Sequence, residues 1–112
     1  MNGQSPEAVV VIPLLTEILG HPLFLAECYW PDITPAGLAA ADVRTRRAVS
    51  RVPGVQYVGC VVVPADELVF RIFVGGTVDA VEAVHRLAEV PFERVVAAVS
   101  YDAPPSGVPS NG

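Results

Sequence analysis

Apolar and polar positions alternate over residues 23–30, as expected for a half-buried β-strand. Thr34 and Pro35 follow, and they form a typical helix N-cap with proline at the first helical position. Apolar residues then recur at helical spacing until Pro53 and the glycine after it stop the helix. Residues 55–63 form the next apolar run. The first half of the main repeat therefore predicts a strand, a helix and a strand.

The same order is repeated in the second half of the chain. Residues 68–74 predict a strand, Thr77 predicts a second N-cap, and Val81 belongs to the apolar stripe of a second helix. Residues 94–101 predict the closing strand. Two strand–helix–strand units in so few residues indicate an α+β fold, the ferredoxin-like split βαβ-βαβ arrangement. Its four-stranded antiparallel sheet has the strand order four, one, three, two.

In this fold both helices cover one face of the sheet, and we call the opposite face the open face. Strand alternation places apolar side chains there, and this apolar surface is too large to face water. We expect a second copy to cover it, giving a homodimer of the dimeric α+β barrel type. The residues assigned to the open face on this ground are Leu25, Tyr29, Val69 and Phe73.

A carboxylate in the middle of the first of these strands is the most informative polar position. Glu27 shares its alternating set with Tyr29, and we expect Arg71 and Cys60 to meet it on the open face, with Gln56 nearby. A four-residue turn after Val63 pairs Cys60 with Arg71. Two interpretations stay open. The cluster is a structural ion pair within the dimer interface, or it is a small pocket that binds or transforms an organic molecule, with Glu27 as base and Arg71 as anion anchor.

Composition narrows the possible partners. The chain has 112 residues, 52% of them hydrophobic, which is the length of one domain. Its formal net charge is −5, so we expect no basic face that could bind nucleic acid. Residues 1–22 form an extension or arm, residues 23–102 the domain, and residues 103–112 a disordered tail rich in Pro, Ser and Gly. Without a signal peptide or a run long enough to span a bilayer, we expect a cytoplasmic protein that does not enter membranes.

A possible metal site lies on the second predicted helix. Glu82, His85 and Glu89 follow at i, i+3 and i+7, and a carboxylate and an imidazole on one side of a helix can share a metal ion. His21 could add a second imidazole. The alternative is a solvated helix face with an exposed histidine.

A family resemblance adds to this picture. Phe24, Leu25, Glu27, Tyr29, Trp30, Pro31 and Thr34 resemble the opening F-L-x-E-x-Y-x-P-x-x-T of a small bacterial family of unknown function. Its later motifs match at Gly54-Val55, Val63-Pro64, His85 and Pro91-Phe92, and the resemblance covers roughly residues 24–99. One actinobacterial branch of this family is nickel-binding. The resemblance therefore implies a ferredoxin-like homodimer, and nickel as the metal.

Three positions differ from the family pattern. Cys60 stands in place of a serine, Arg71 in place of a cysteine, and Glu89 in place of a glycine. We take as first hypothesis a small, cytosolic, non-enzymatic dimer that binds a divalent metal ion, nickel among the candidates, through His85 with Glu82 or Glu89. The rival is a dimeric protein whose open-face pocket around Glu27 and Arg71 takes a small organic molecule. A third hypothesis is an interaction module without a ligand, and none of the three includes an organic cofactor.

Overall fold

The structure, a computed structural model, describes residues 9–11 and 21–99. A 3-10 turn at Pro64–Asp66 connects the strand Gln56–Val63 to the strand Leu68–Val74. The remaining elements are, in chain order, β1 (Val9–Val11), β2 (Leu23–Tyr29), α1 (Pro35–Val49), β3 (Gln56–Val63), β4 (Leu68–Val74), α2 (Val78–Ala88) and β5 (Arg94–Ala98).

The five strands form one sheet in the order β1-β3-β4-β2-β5, and every neighbouring pair is antiparallel. Strands β2 to β5 with the two helices make an α+β fold compatible with the ferredoxin-like arrangement. The predicted strand order of the repeat is confirmed. The extension before residue 23 contributes β1, an edge strand that pairs Val10 with Val61 of β3. The other residues of that extension, and the expected tail over residues 103–112, lie outside the described residues.

Local signals in the sequence set the helix starts. The Thr34 side chain accepts a hydrogen bond from the backbone N–H of Gly37 at 3.0 Å, and Thr77 accepts one from Ala80 at 3.1 Å. Each threonine satisfies a backbone donor that the first helical turn cannot satisfy itself. The hairpin register is also as predicted, because β3 and β4 pair Val63 with Leu68 and Cys60 with Arg71.

The main core lies between the sheet and the two helices. Phe73 and Val69 of β4 pack there with Val81 and Val84 of α2 and Ala41 of α1, all nearly or fully buried. A smaller apolar cluster lies on the open face. It contains Leu23, Val58, Ile72 and Val74, with Leu25, Val61 and Ala98 packed against it.

One expectation about the faces of the sheet is wrong. Val69, Arg71 and Phe73 point towards the helices, while Leu68 and its alternating partners on β4 occupy the open face. The alternation itself is as predicted, but the two sets exchange sides. Both sets are apolar enough to be buried, so their hydrophobicity does not determine which set faces the helices. The polar partners of Arg71 are on α1, and they favour the orientation in which Arg71 faces the helices.

Candidate functional site

The side chain of Arg71 is fully buried between the sheet and α1. One of its terminal nitrogens, Nη2, donates to the Thr45 hydroxyl and lies 3.4 Å from Oδ1 of Asp42. Asp42 keeps 26% of its side chain exposed and also accepts a hydrogen bond from the Tyr57 hydroxyl at 2.8 Å. The arginine therefore has one carboxylate partner, and that contact is long for a charge-assisted hydrogen bond.

Aromatic rings surround the guanidinium group of Arg71. Its central carbon lies 4.8 Å from the ring centre of Tyr57, 5.8 Å from that of Trp30 and 6.0 Å from that of Phe73. Cation–π contacts of this kind stabilise a buried charge, but they provide no hydrogen-bond acceptor in the plane of the group. The rings hold the guanidinium in place and leave its remaining N–H bonds to other partners.

Two nitrogens of Arg71, Nε and Nη1, have no hydrogen-bond partner among the described residues. The indole nitrogen of Trp30 and Nε2 of His85 are also buried without a partner. An unpaired buried polar group costs about 1 to 3 kcal/mol, and more when it is charged. Such unsatisfied groups are uncommon in folded proteins. We define Arg71, Trp30, Tyr57, Asp42 and His85 as the buried polar cluster.

His85 belongs to this cluster because its ring points into the core. The ring is fully buried between Phe73 and Phe92, with ring centres 5.2 Å and 5.0 Å away. Its Nδ1 lies 2.9 Å from the carbonyl oxygen of Val81, which can only accept, so Nδ1 carries the proton. Burial lowers the pKa of His85 to about 4, and the charge of Arg71 lowers it further than burial alone would. The neutral ring therefore presents Nε2 as an acceptor.

The thiols and the phenol near Arg71 are held in their neutral forms. Burial raises the pKa of the Cys28 thiol to about 12, and it also raises the pKa of Cys60. Both cysteines are free thiols. Burial likewise raises the pKa of the Tyr57 hydroxyl, although Arg71 opposes this shift. No thiolate or phenolate therefore balances the charge of Arg71 near neutral pH.

An open groove of about 390 Å³ lies beside this cluster, at the start of α1. Trp30 and Ala41 line it together with Ile33, Arg44 and Pro91. Trp30 therefore lies beside both the groove and the guanidinium group of Arg71.

The pocket expected on the open face is not formed as predicted. Glu27 lies opposite Phe70 of β4, whereas Arg71 lies opposite Ala26, so the side chains of Glu27 and Arg71 point to opposite faces. Glu27 instead makes a two-point ion pair with Arg94 of β5, with both N–O distances 3.3 Å.

The other expected pocket residues are divided between the two faces. Cys60 is buried beside Arg71 on the helix side, and Gln56 is exposed on the open face. Tyr29 remains on the open face and donates to Glu67 at 3.1 Å. The expected cluster of five residues is therefore wrong, although its Cys60–Arg71 pairing is confirmed.

The three expected metal ligands do not share one side of α2. His85 is buried, Glu82 lies 3.3 Å from Arg86 on the surface, and Glu89 is an exposed cap residue in the left-handed conformation after the helix. His21 is exposed. The described residues contain no group of three or more His, Cys, Asp or Glu side chains placed to hold a metal ion. The alternative of an exposed His85 is also wrong.

Asp42 and Thr45 were not predicted as partners of Arg71, although the sequence carried a signal for one of them. Thr45 continues the buried stripe of α1, four residues after Ala41 and three before Ala48. Its hydroxyl donates to the carbonyl oxygen of Ala41 in the same helix at 2.8 Å, so its oxygen can still accept from a donor across the core. No comparable signal marks Asp42, which is half-buried at the edge of that stripe.

Comparisons with models of known protein families, with the curated proteins and with the solved structures found no match. The resemblance to the nickel-binding branch stays a prediction from the sequence. Neither helix in residues 21–99 is long and apolar enough to cross a bilayer.

Proposed function

We propose that the protein binds a small organic anion, such as a carboxylate, with Arg71 as the anion anchor. The observation that carries this proposal is the fully buried guanidinium whose Nε and Nη1 lack acceptors in the described part of the chain. A buried charge with one long ion-pair contact is destabilising unless another group satisfies it. An anionic oxygen would supply the missing acceptor.

The groove beside Trp30 supports an organic ligand rather than a bare ion. Its walls are largely apolar, and its volume of about 390 Å³ accommodates several carbon atoms besides the charged group. In this proposal the apolar body of the ligand lies in the groove, Trp30 moves aside, and the carboxylate reaches Arg71. The free N–H of Trp30 and the acceptor Nε2 of His85 offer further polar contacts for a ligand.

Trp30 makes the proposal directly testable because it is the single tryptophan of the chain. Titration with hexanoate should shift its fluorescence in a saturable manner, whereas the neutral hexanamide should have no such effect. Arg71→Met should abolish the hexanoate response, and Arg71→Lys should weaken it, because lysine keeps the charge but not the planar set of donors. The matched control Arg94→Gln removes an arginine from the other face and should leave the response intact.

Stability measurements check that a loss of binding is not a loss of folding. Removing one partner of a buried ion pair typically costs about 3 to 5 kcal/mol. Asp42 is 26% exposed and keeps its hydrogen bond from Tyr57, so we expect Arg71→Met to lose less stability than this and to stay folded while it loses hexanoate binding. Equal responses of wild type and Arg71→Met, or equal responses to hexanoate and hexanamide, would reject the anion anchor.

We also propose that the open face forms a homodimer interface. The described strands place Leu25, Val61, Phe70 and Val96 there, only partly buried within the single chain. A second copy would bury these side chains and contribute the favourable free energy of removing apolar surface from water. This dimer is independent of the anion site, which lies on the other side of the sheet.

Divalent-metal binding, with nickel as the metal that the resemblance implies, stays a second proposal. One observation favours it, because His85 is neutral with a free Nε2 and a proton fixed on Nδ1, as in many metal ligands. The nearby positive charge of Arg71 opposes it. A nickel titration by calorimetry tests it, and equal affinities of wild type and His85→Leu would remove His85 as a ligand.

A further inference from the structure

A second charged site lies between the C-terminal halves of the two helices, away from the buried polar cluster. Arg44 and Arg47 of α1 line a groove of about 220 Å³ there, together with Arg51, which follows the end of the helix at Val49. Arg44 and Arg47 follow at i and i+3, which places them on one side of the helix. Ala88 and Glu89, at the end of α2, form the opposite wall. We call this the arginine groove.

The three arginines of the groove are unpaired in the described part of the chain. The ion pairs found there involve the other arginines Arg71, Arg86 and Arg94. Like charges at this helical spacing repel each other by about 0.2 to 0.5 kcal/mol per pair. Although the chain has a net charge of −5, no carboxylate of residues 21–99 forms an ion pair with these guanidinium groups. Their charges are therefore not neutralised within the described part of the chain.

The attraction of basic side chains to the C-terminal end of α1 does not by itself explain why three arginines line the groove. Basic residues in a last helical turn interact favourably with the free carbonyls of the same helix. Arg44 instead donates from Nε to the carbonyl oxygen of Ala88 on α2, at 2.8 Å. This contact between the helices fixes one guanidinium at the groove wall and leaves its terminal nitrogens for another acceptor.

We propose that the arginine groove binds a phosphate group, either free phosphate or the phosphate of a small organic ester. Three guanidinium charges and the one carboxylate of Glu89 leave a charge of +2 on the groove lining. A lining charge of +2 balances the charge of a phosphate group, which is close to −2 around neutral pH. Arginine is also the side chain whose planar donors fit phosphate oxygens best. The site does not include Arg71, although its Arg44 also lines the groove beside Trp30.

The experiment is a calorimetric titration of the full chain with inorganic phosphate and, separately, with glycerol phosphate, at constant ionic strength. The double variant Arg47→Gln/Arg51→Gln should lose affinity by about tenfold or more, since it loses two charge-assisted contacts. Arg46→Gln removes one positive charge from α1 at a residue that does not line the groove, and it should bind within about twofold of wild type. Glu89→Gln should bind more tightly, because it removes the opposing charge.

The two titrants distinguish the sources of phosphate. Tighter binding of glycerol phosphate indicates an organic ester as ligand, and equal or weaker binding of the ester indicates free phosphate. Absence of binding by both, or an equal loss of affinity in Arg46→Gln and the double variant, would overturn the proposal. Arg47 and Arg51 are exposed, so folding of the double variant is expected and is checked by its thermal unfolding.

Discussion

At the scale of single residues, Arg71 shows the largest mismatch between a charged side chain and a buried environment. A charged side chain in a strand is normally expected on the solvent side, yet Arg71 is fully buried beneath α1. Thr45 and the aromatic rings of Tyr57 and Trp30 make that burial tolerable without satisfying every donor. Buried residues with unpaired donors are candidates for ligand contact, because a ligand can supply the acceptors that the fold lacks.

His85 leads to a prediction about pH. The folded protein holds its pKa at about 4, against 6.5 for the unperturbed group, because burial disfavours the charged ring. Between these values the unfolded chain binds more protons, so the free energy of unfolding decreases as pH falls from 6.5 to 4. The difference corresponds to about 3 kcal/mol. Above pH 6.5 His85 contributes no pH dependence.

Urea unfolding at about pH 7 and about pH 4.5 measures this effect when wild type and His85→Leu are compared. Both proteins contain the same carboxylates, so only the difference between their pH dependences reports on His85. We expect wild type to lose more stability than the variant on acidification. Identical losses would show that His85 titrates normally in the folded protein.

At the scale of elements, the link between β4 and α2 depends on one glycine. Gly75 has a φ of +82°, and its backbone N–H donates to the carbonyl of Pro22 at 2.8 Å. A Cβ at this position would lie 2.3 Å from the carbonyl oxygen of Gly54. Gly54 itself has a φ of +85° but open space around the position of a Cβ. The two glycines thus share a left-handed backbone conformation and differ in the room for a side chain.

We predict that Gly75→Ala is much more destabilising than Gly54→Ala. A left-handed conformation costs an alanine about 1 to 2 kcal/mol at either site. At Gly75 the backbone clash adds about 1 to 3 kcal/mol. Denaturant unfolding of both variants measures the difference in free energy of unfolding, and equal losses would mean that the turn relaxes without cost.

At the scale of the whole molecule, the open face predicts self-association. Light scattering should give twice the chain mass of 11.8 kDa at micromolar concentration. Phe70→Glu places a charge among the apolar side chains of that face and should produce a monomer. Val43→Glu makes the same kind of change on the exposed side of α1, and it should leave the dimer intact. A wild type that is strictly monomeric, or a Val43→Glu variant that dissociates equally, would contradict the interface.

Much of the fold could be predicted from the sequence because its signals are local. Thr34 and Thr77 start the helices by bonding to backbone groups three residues away, and the four-residue turn after Val63 sets the register of β3 with β4. Alternation divides each strand into two sets of side chains, since successive residues point to opposite faces. Local geometry thus determined the element order, the antiparallel sheet and the Cys60–Arg71 pairing.

Only the tertiary structure decided which set of β4 faces the helices, and with it the location of the site. Both sets are apolar, so alternation does not tell which of them faces the helices. That orientation depends on residues of α1, distant in the sequence, that accept hydrogen bonds from Arg71. A related limit applies to His85, which lies on the apolar stripe of α2 between Val81 and Ala88 but also at helical spacing from the polar residues Glu82 and Glu89. Burial of a polar side chain depends on partners that are far away in the sequence. The pattern of apolar and polar residues does not tell how close those partners lie in space.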